Sequence, residues 1–333
     1  MSGLAETAAP EWDALLARLG CADVYYLSEY LESARLLEEG MPAFLHLAGD
    51  GGDVVFACLV REAAGGVRDV ITPYGYGGPV ATGPEPPVAR FWELYERWCA
   101  SRGILTSFIR FHPLFANHRF AGPSVRLERY ADTTGWRLDL PDLFAGMDGR
   151  HRTSCRKARK EGVTVRVLPA PGDLSGFVAL YEETMRRLDV GDFYLFPQSY
   201  WDSLTGPLRR QMLLAEAAAG DDVVASALCF ATPPWLHYHL SAASERGRAL
   251  GAGNLVLYET AEWARGHGYE VFHLGGGAGG QEDSLAAFKR RFDPGGRLEW
   301  WLGKAVHDAA AYRELTGRAA GDLSGFFPAY RAQ

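Results

Sequence analysis

The sequence predicts an α/β protein made of two tandem units, each with a mixed sheet. Three observations carry this expectation. The succession helix, β-hairpin, strand, helix, strand occurs twice along the 333 residues, as expected of a duplicated unit. Each half holds a hairpin signal between two apolar runs, Gly51-Gly52 in the first and Gly220-Asp221 in the second. The length suits two domains of about 150 residues each, and no apolar run reaches the roughly 18 residues that a membrane span needs.

In order, residues 11–19 and 28–39 carry apolar residues at helical spacing. AFLHLAG and DVVFACLVREA read as hairpin strands, and GVRDVITPYGYGGPVA as a strand entering a rigid Gly/Pro/Tyr loop. PVARFWELYERWCASRG is an amphipathic helix that begins after prolines and stops at Gly103. ILTSFIRFHP is a buried strand ended by Pro113, and GWRLDL is another strand. MDGRHRTSCRKARKEG then opens the second half as a helix, followed by the strand VTVRVLP and the helices DLSGFVALYEETMRRLD and SYWDSLTGPLRR. A hairpin over QMLLAEAAAGDDVVASALCFATP, the strand PWLHYHLSAA, the helix GNLVLYETAEWARGHG and the strand YEVFHLGG complete it. A last helix near Ala309–Thr316 is expected to return to the first unit. No Pro/Ser-rich linker intervenes, so the boundary is placed near Ala145–Gly149, giving a first domain over 1–145 joined by 305–333 and a second over 146–304.

The composition is that of an ordinary globular chain, 47% apolar and 23% charged. The first residues lack the basic-then-apolar order of a signal peptide. The five cysteines are scattered singly with no CxxC. Reduced thiols, a cytoplasmic location and no zinc site are therefore expected. The net charge of −7 argues against indiscriminate nucleic-acid binding. Its distribution is uneven: Arg150–Arg166 holds seven basic residues and one acid, and Ala286–Arg297 holds four and one. Two basic islands lie in an acidic chain. They read either as solvated helix faces or as the lining of a phosphate-binding groove. Only four residues are lysines (Lys157, Lys160, Lys289, Lys304) against thirty arginines, so a lysine marks a place suited to a compact ammonium.

Candidate chemistry gathers in a few segments. Arg248–Asn254, RALGAGN, fits the R-x-x-G-x-G pattern of the pyrophosphate loop in acyl-CoA-dependent acetyltransferases. A glycine-rich connection with Asn254 as N-cap accounts for the same residues more simply. HLGGG ends a strand in three glycines, which permits close backbone approach or a turn. In AAFKRRF, Phe288 and Phe292 share a helical face and pack inward, which orients Lys289 toward the pocket mouth. Tyr74, Tyr76, Arg110 and His112 sit at strand ends of the first half, where ligand clefts form. Near pH 7 the imidazole of His112 suits a base. No Ser-His-Asp signature, HExxH, P-loop or EF-hand motif occurs.

RKARKEG, YEETMRRL…FY, HYHLSAAS, AEWARGHGYEVFHLGGG and FKRRF occur in this order. Together they resemble the FemABX family of aminoacyl-tRNA-dependent peptidyl transferases, within the Gcn5-related acetyltransferase-like (GNAT) superfamily. The resemblance is strongest over 145–304. It implies two GNAT-like units and transfer of an amino acid from the 3′ end of a charged tRNA to a free amine. That amine belongs to a cell-wall peptide or to a peptide or nucleoside natural product. The family's FK pair falls on Phe288 and Lys289, which implies that Lys289 meets the tRNA end or the oxyanion of the tetrahedral intermediate. Arg187 matches the family's Arg after the T-x-x-R helix, and Tyr194, Tyr238 and His239 fall at acceptor-cleft positions. Arg156, Lys157, Lys160, Arg290 and Arg291 are the expected contacts to the tRNA end. Where the family's first-unit strand often ends Asp-Pro, this chain has His112-Pro113, which makes His112 the substitute base. No heptad segment is present, so the chain resembles the compact members without the coiled-coil arm. Aminoacyl-tRNA is then the co-substrate, with no cofactor and no metal, and the protein a monomer without a membrane span. Two rival readings remain: an acyl-CoA-dependent N-acyltransferase using RALGAG, and a duplicated domain that only binds a partner. The transferred amino acid and the acceptor are not legible.

Overall fold

The computed structural model describes residues 3–188 and 194–332. Asp189 and Phe193, within the segments quoted above, lie outside the described residues. The chain divides into two compact units, Met1–Tyr130 with Glu299–Gln333, and Ala131–Leu298.

In the first unit come β1 (Ala5–Glu6), α1 (Ala9–Leu19), α2 (Ser28–Glu38), β2 (Gly40–Gly49), β3 (Gly52–Glu62), β4 (Arg68–Ile71), β5 (Val80–Thr82), α3 (Val88–Arg102), β6 (Ile104–Arg110) and the first half of β7 (Arg126–Arg137). The β2–β3 hairpin closes at the expected place, with Gly49 opposite Gly52. The strand order is β1-β2-β3-β4-β6. The β4–β6 pair is parallel and the rest antiparallel, which makes a mixed sheet. α3 buries Phe91, Trp92, Tyr95 and Cys99 on one stripe and ends at Gly103 in the left-handed conformation.

The second unit holds the rest of β7, then α4 (Leu143–Gly146), α5 (Gly149–Lys160), β8 (Val163–Pro169), α6 (Ser175–Leu188), α7 (Gln198–Thr205), β9 (Met212–Ala219), β10 (Asp222–Thr232), β11 (Trp235–Ala243), α8 (Glu245–Leu250), α9 (Ala252–Gly266), β12 (Val271–Gly275) and α10 (Ser284–Arg290). Its sheet runs β7-β12-β11-β10-β9-β8, with β11–β12 parallel and its neighbours antiparallel. α9 and α5 share one core with one face of this sheet, including Cys155, Ala158, Leu255, Ala261, Ala215, Ala227 and Phe272. β13 (Arg297–Val306) then carries the chain back, and α11 (Ala309–Thr316) follows in the first unit.

Three elements differ from expectation. The strand expected at GWRLDL begins nine residues earlier, at Arg126, and stops at Arg137. Its first half, RLERY, is solvent-exposed, so it lacks the apolar alternation that announces a strand. β13 has no counterpart in the sequence reading. Gly303 is needed there: a Cβ would lie 2.7 Å from the Phe111 ring. Lys304 is neutralised by Glu128 at 2.6 Å and donates to Leu323 O at 3.2 Å. Finally, RALGAGN is mostly helical. α8 takes Arg248–Leu250, Gly251 (φ 77°) caps α9, and Asn254 lies inside α9, so it is not the N-cap. Among the described residues no helix is long and apolar enough to cross a membrane.

Candidate active site

The FHLGGG segment ends β12, and α10 follows a short turn later. The glycines serve contact rather than flexibility. A Cβ on Gly276 would lie 2.9 Å from Asp132 O, and one on Gly277 would lie 2.1 Å from Gln281 O and 2.4 Å from Asp283 Oδ1. The Asp283 carboxylate occupies the space above Gly277 and caps α10 by accepting the Ala286 N–H at 2.8 Å. α10 is anchored from its other side. Phe292 is fully buried against Trp136, and His151 of α5 lies against both Phe288 and Phe292. The His151 Nε2–H donates to Phe288 O at 2.8 Å.

This frame buries Lys289, which is only 7% exposed. Its Nζ donates to Gly276 O at 2.7 Å and stands 4.8 Å from the centre of the Tyr238 ring. Burial pulls the ammonium down to about 8, opposed by the negative charge of Asp283. The site thus holds a desolvated cation fixed by a carbonyl dipole and an aromatic face. Burial pushes the Tyr238 hydroxyl up to about 12, and it bonds to Ser241. Gly276 also lines a small pocket together with Asp132, Thr134, Gly275, Arg290 and Arg297. Asp132 pairs with Arg297, and Arg290 with Glu282.

Tyr238 and His239 are adjacent on β11 and face opposite ways. His239 meets Tyr200 Oη at 2.8 Å and packs on Phe230. Burial lowers it to about 3, so it stays neutral near pH 7. Arg187 donates through Nη2 to Ala243 O at 2.9 Å, while its Nε and Nη1 are buried with no hydrogen-bond partner among the described residues. Tyr194 is half-buried.

The two basic islands meet, because the Asp148 N–H at the start of α5 donates to Arg291 O at 2.8 Å. Their charges are not equally available. Lys157 donates to Ala249 O at 2.7 Å, Arg152 to Ala145 O at 2.9 Å, and Arg159 pairs with Glu259 at 2.7 Å. Arg150, Arg156 and Lys160 are exposed, with Arg156 over the Phe144 ring.

The first-unit candidates are held internally. Arg110 pairs with Glu38 at 3.1 Å and donates to Thr72 O at 2.7 Å. Tyr74 is half-buried, and its carbonyl accepts the Tyr30 hydroxyl. Tyr76 packs edge-on against Trp300, Tyr25 and His112. His112 is fully buried, accepts the Phe115 N–H at Nδ1 (3.3 Å), and turns Nε2 toward Asp23 at 3.4 Å.

Sequence reasoning did not find Asp283 or Ser241, because neither sits in a recognisable motif. It also did not find a Ser–His–Glu chain in the first unit. Ser107 Oγ lies 2.7 Å from His307 Nε2, and His307 Nδ1 lies 2.7 Å from Glu96. Ser107 is fully buried in β6 and also bonds to Tyr95 Oη at 2.8 Å. The chain therefore ties β13 to α3 and β6, and its serine is shielded from any substrate.

Residues 148–290 match the acetyltransferase (GNAT) domain family. Among solved structures, FemX superposes with a TM-score of 0.68 at 14% identity, covering 94% of this chain and 100% of that one. The C-terminal domain of a putative lysylphosphatidylglycerol synthetase from Agrobacterium fabrum gives 0.57 at 15% identity, covering 96% and 100%. L-PGS from Bacillus licheniformis gives 0.57 at 14%, covering 93% and 94%. No curated protein matches the sequence. Residues 148–290 thus match the acetyltransferase (GNAT) domain family, and the chain shares the fold of FemX over 94% of its length.

Proposed function

We propose that the protein is an aminoacyl-tRNA-dependent aminoacyltransferase that forms an amide on the free amine of a peptide-type acceptor. The observation that carries this reading is Lys289, a cation held by Gly276 O and the Tyr238 ring in a desolvated site. Aminoacyl esters are already activated, so the chemistry needs proximity and charge stabilisation more than a strong base. The neutral amine attacks the ester carbonyl and its electrons move to the carbonyl oxygen. The Lys289 ammonium stabilises this oxyanion, which then collapses, expelling the ribose oxygen. The proton released by the amine passes to that oxygen. His112 stands outside this scheme, since its ring is enclosed and its Nδ1 already accepts the Phe115 N–H. Arg150, Arg156, Lys160 and Arg291 supply the charge for the acceptor end of the tRNA, in keeping with a small footprint on a chain of net charge −7.

The acyl-CoA reading draws less support. The glycine segment on which it rests is pinned by α5: Lys157 donates to Ala249 O, and a Cβ on Gly251 would lie 2.9 Å from Ser154 O. The test offers the purified protein labelled aminoacyl-tRNAs, and separately acetyl-CoA, with a panel of amine acceptors that includes cell-wall stem peptide and peptide and nucleoside amines. RNase-sensitive transfer is expected. Transfer from acetyl-CoA alone would overturn the reading.

A further inference from the structure

We propose that Asp283 is a positioning residue of the Lys289 site: its carboxylate, seated over Gly277, locks α10 so that Lys289 meets Gly276 O and the Tyr238 ring. The inference rests on the role given to Lys289 above. The geometry has three parts. Asp283 holds the helix start through Ala286 N–H at 2.8 Å and through its own carbonyl, which accepts the Ala287 N–H at 3.0 Å. Its Oδ1 fills the volume that a side chain at residue 277 would take. Lys289 lies six residues further along the same rigid turn and a half and bonds to Gly276, the residue next to the one Asp283 covers. One carboxylate thus joins the strand end to the helix that carries the lysine.

Its charge has a second effect. Desolvation favours the neutral amine, and Asp283 is the charge that opposes it. The other charged or titratable groups around the lysine are accounted for. Asp132 of β7 is paired with Arg297 of β13, Arg290 of α10 with Glu282, and the Tyr238 hydroxyl of β11 with Ser241. His151 of α5 is turned to Phe288 O.

The experiment uses the full chain labelled at lysine Cε. With only four lysines, the Lys289 resonance is identified by its disappearance in Lys289→Arg. Asp283→Asn keeps a capping oxygen and removes the charge. The Lys289 resonance is expected to titrate at about 8 in the parent and about one unit lower in the variant. If transfer is measured as well, kcat should fall roughly five-fold at pH 8 and by less than about 1.2-fold at pH 6, from the loss of ammonium alone. Should Asp283→Asn fail to fold, Asp283→Ser, also a capping residue, is titrated instead. An unchanged Lys289 titration in a folded variant overturns the proposal. Absence of any aminoacyl transfer would overturn the proposed function, while the titration would still decide the role of Asp283 by itself.

Discussion

Two glycine-to-alanine substitutions in the second unit should behave in opposite ways. Gly253 lies in α9 with nothing within 4 Å of an added Cβ. Alanine there improves helix propensity and restricts the unfolded chain, for a gain of about 0.5–1 kcal/mol. At Gly277 the added Cβ would fall 2.1 Å from a backbone oxygen and 2.4 Å from the Asp283 carboxylate. One or both must retreat by about 1 Å, which costs about 1–3 kcal/mol in a packed region. The retreat moves α10, and a misplacement of about 1 Å at a reacting group costs on the order of 100-fold in rate. Melting curves of both variants, the Lys289 titration, and transfer kinetics once a donor is found are the measurements. Gly253→Ala should melt higher and keep full activity, while Gly277→Ala should melt lower, shift the Lys289 titration and lose most activity. If Gly277→Ala matched the parent in all three, the argument that the glycine run exists to seat Asp283 would fail.

Lys289→Ala should lower kcat by about 10²–10³ if its ammonium stabilises the oxyanion while the fold survives. In the parent that contribution should fade on the alkaline side as pH rises through about 8, and a flat alkaline limb would contradict the assignment. Replacing Arg150, Arg156 and Lys160 together by Gln should flatten the logarithmic salt dependence of tRNA binding by about 0.7–0.9 for each phosphate no longer neutralised; an unchanged slope removes α5 from the RNA footprint. In the first unit, His307→Ala should cost about 1–3 kcal/mol by removing the ring that joins buried Ser107 to Glu96, leaving Ser107 only its bond to Tyr95, readable by urea denaturation. Burial alone raises the Glu96 carboxyl, but hydrogen bonds from His307 and Ser124 outweigh it and hold the group below the usual glutamate range. Its contribution is therefore present above the unfolded chain's ordinary glutamate value and is lost as pH falls through the lower folded one. The stability gap between the parent and Glu96→Gln should close on acidification, and a gap independent of pH would refute the linkage.

The duplicated order of elements was legible because helices and hairpins announce themselves locally, through the apolar stripe of α3, the stop at Gly103 and the Gly51-Gly52 turn. β13 and the first half of β7 were not. Their residues gain strand structure only from partners distant in sequence, as Lys304 does from Glu128. The same division runs through the site. The sequence by itself marked Phe288, Lys289 and the glycine run, since a rare lysine beside paired phenylalanines after three glycines is a local pattern. Only the tertiary structure decided that Lys289 is buried rather than at a pocket mouth, that Tyr238 stands over it while His239 faces away, and that Lys157 is held by a carbonyl of α8. It also decided that Asp283 fills the space Gly277 leaves. Burial, desolvation and the exclusion of a Cβ are set by atoms that arrive from elsewhere in the chain, and no local pattern records them.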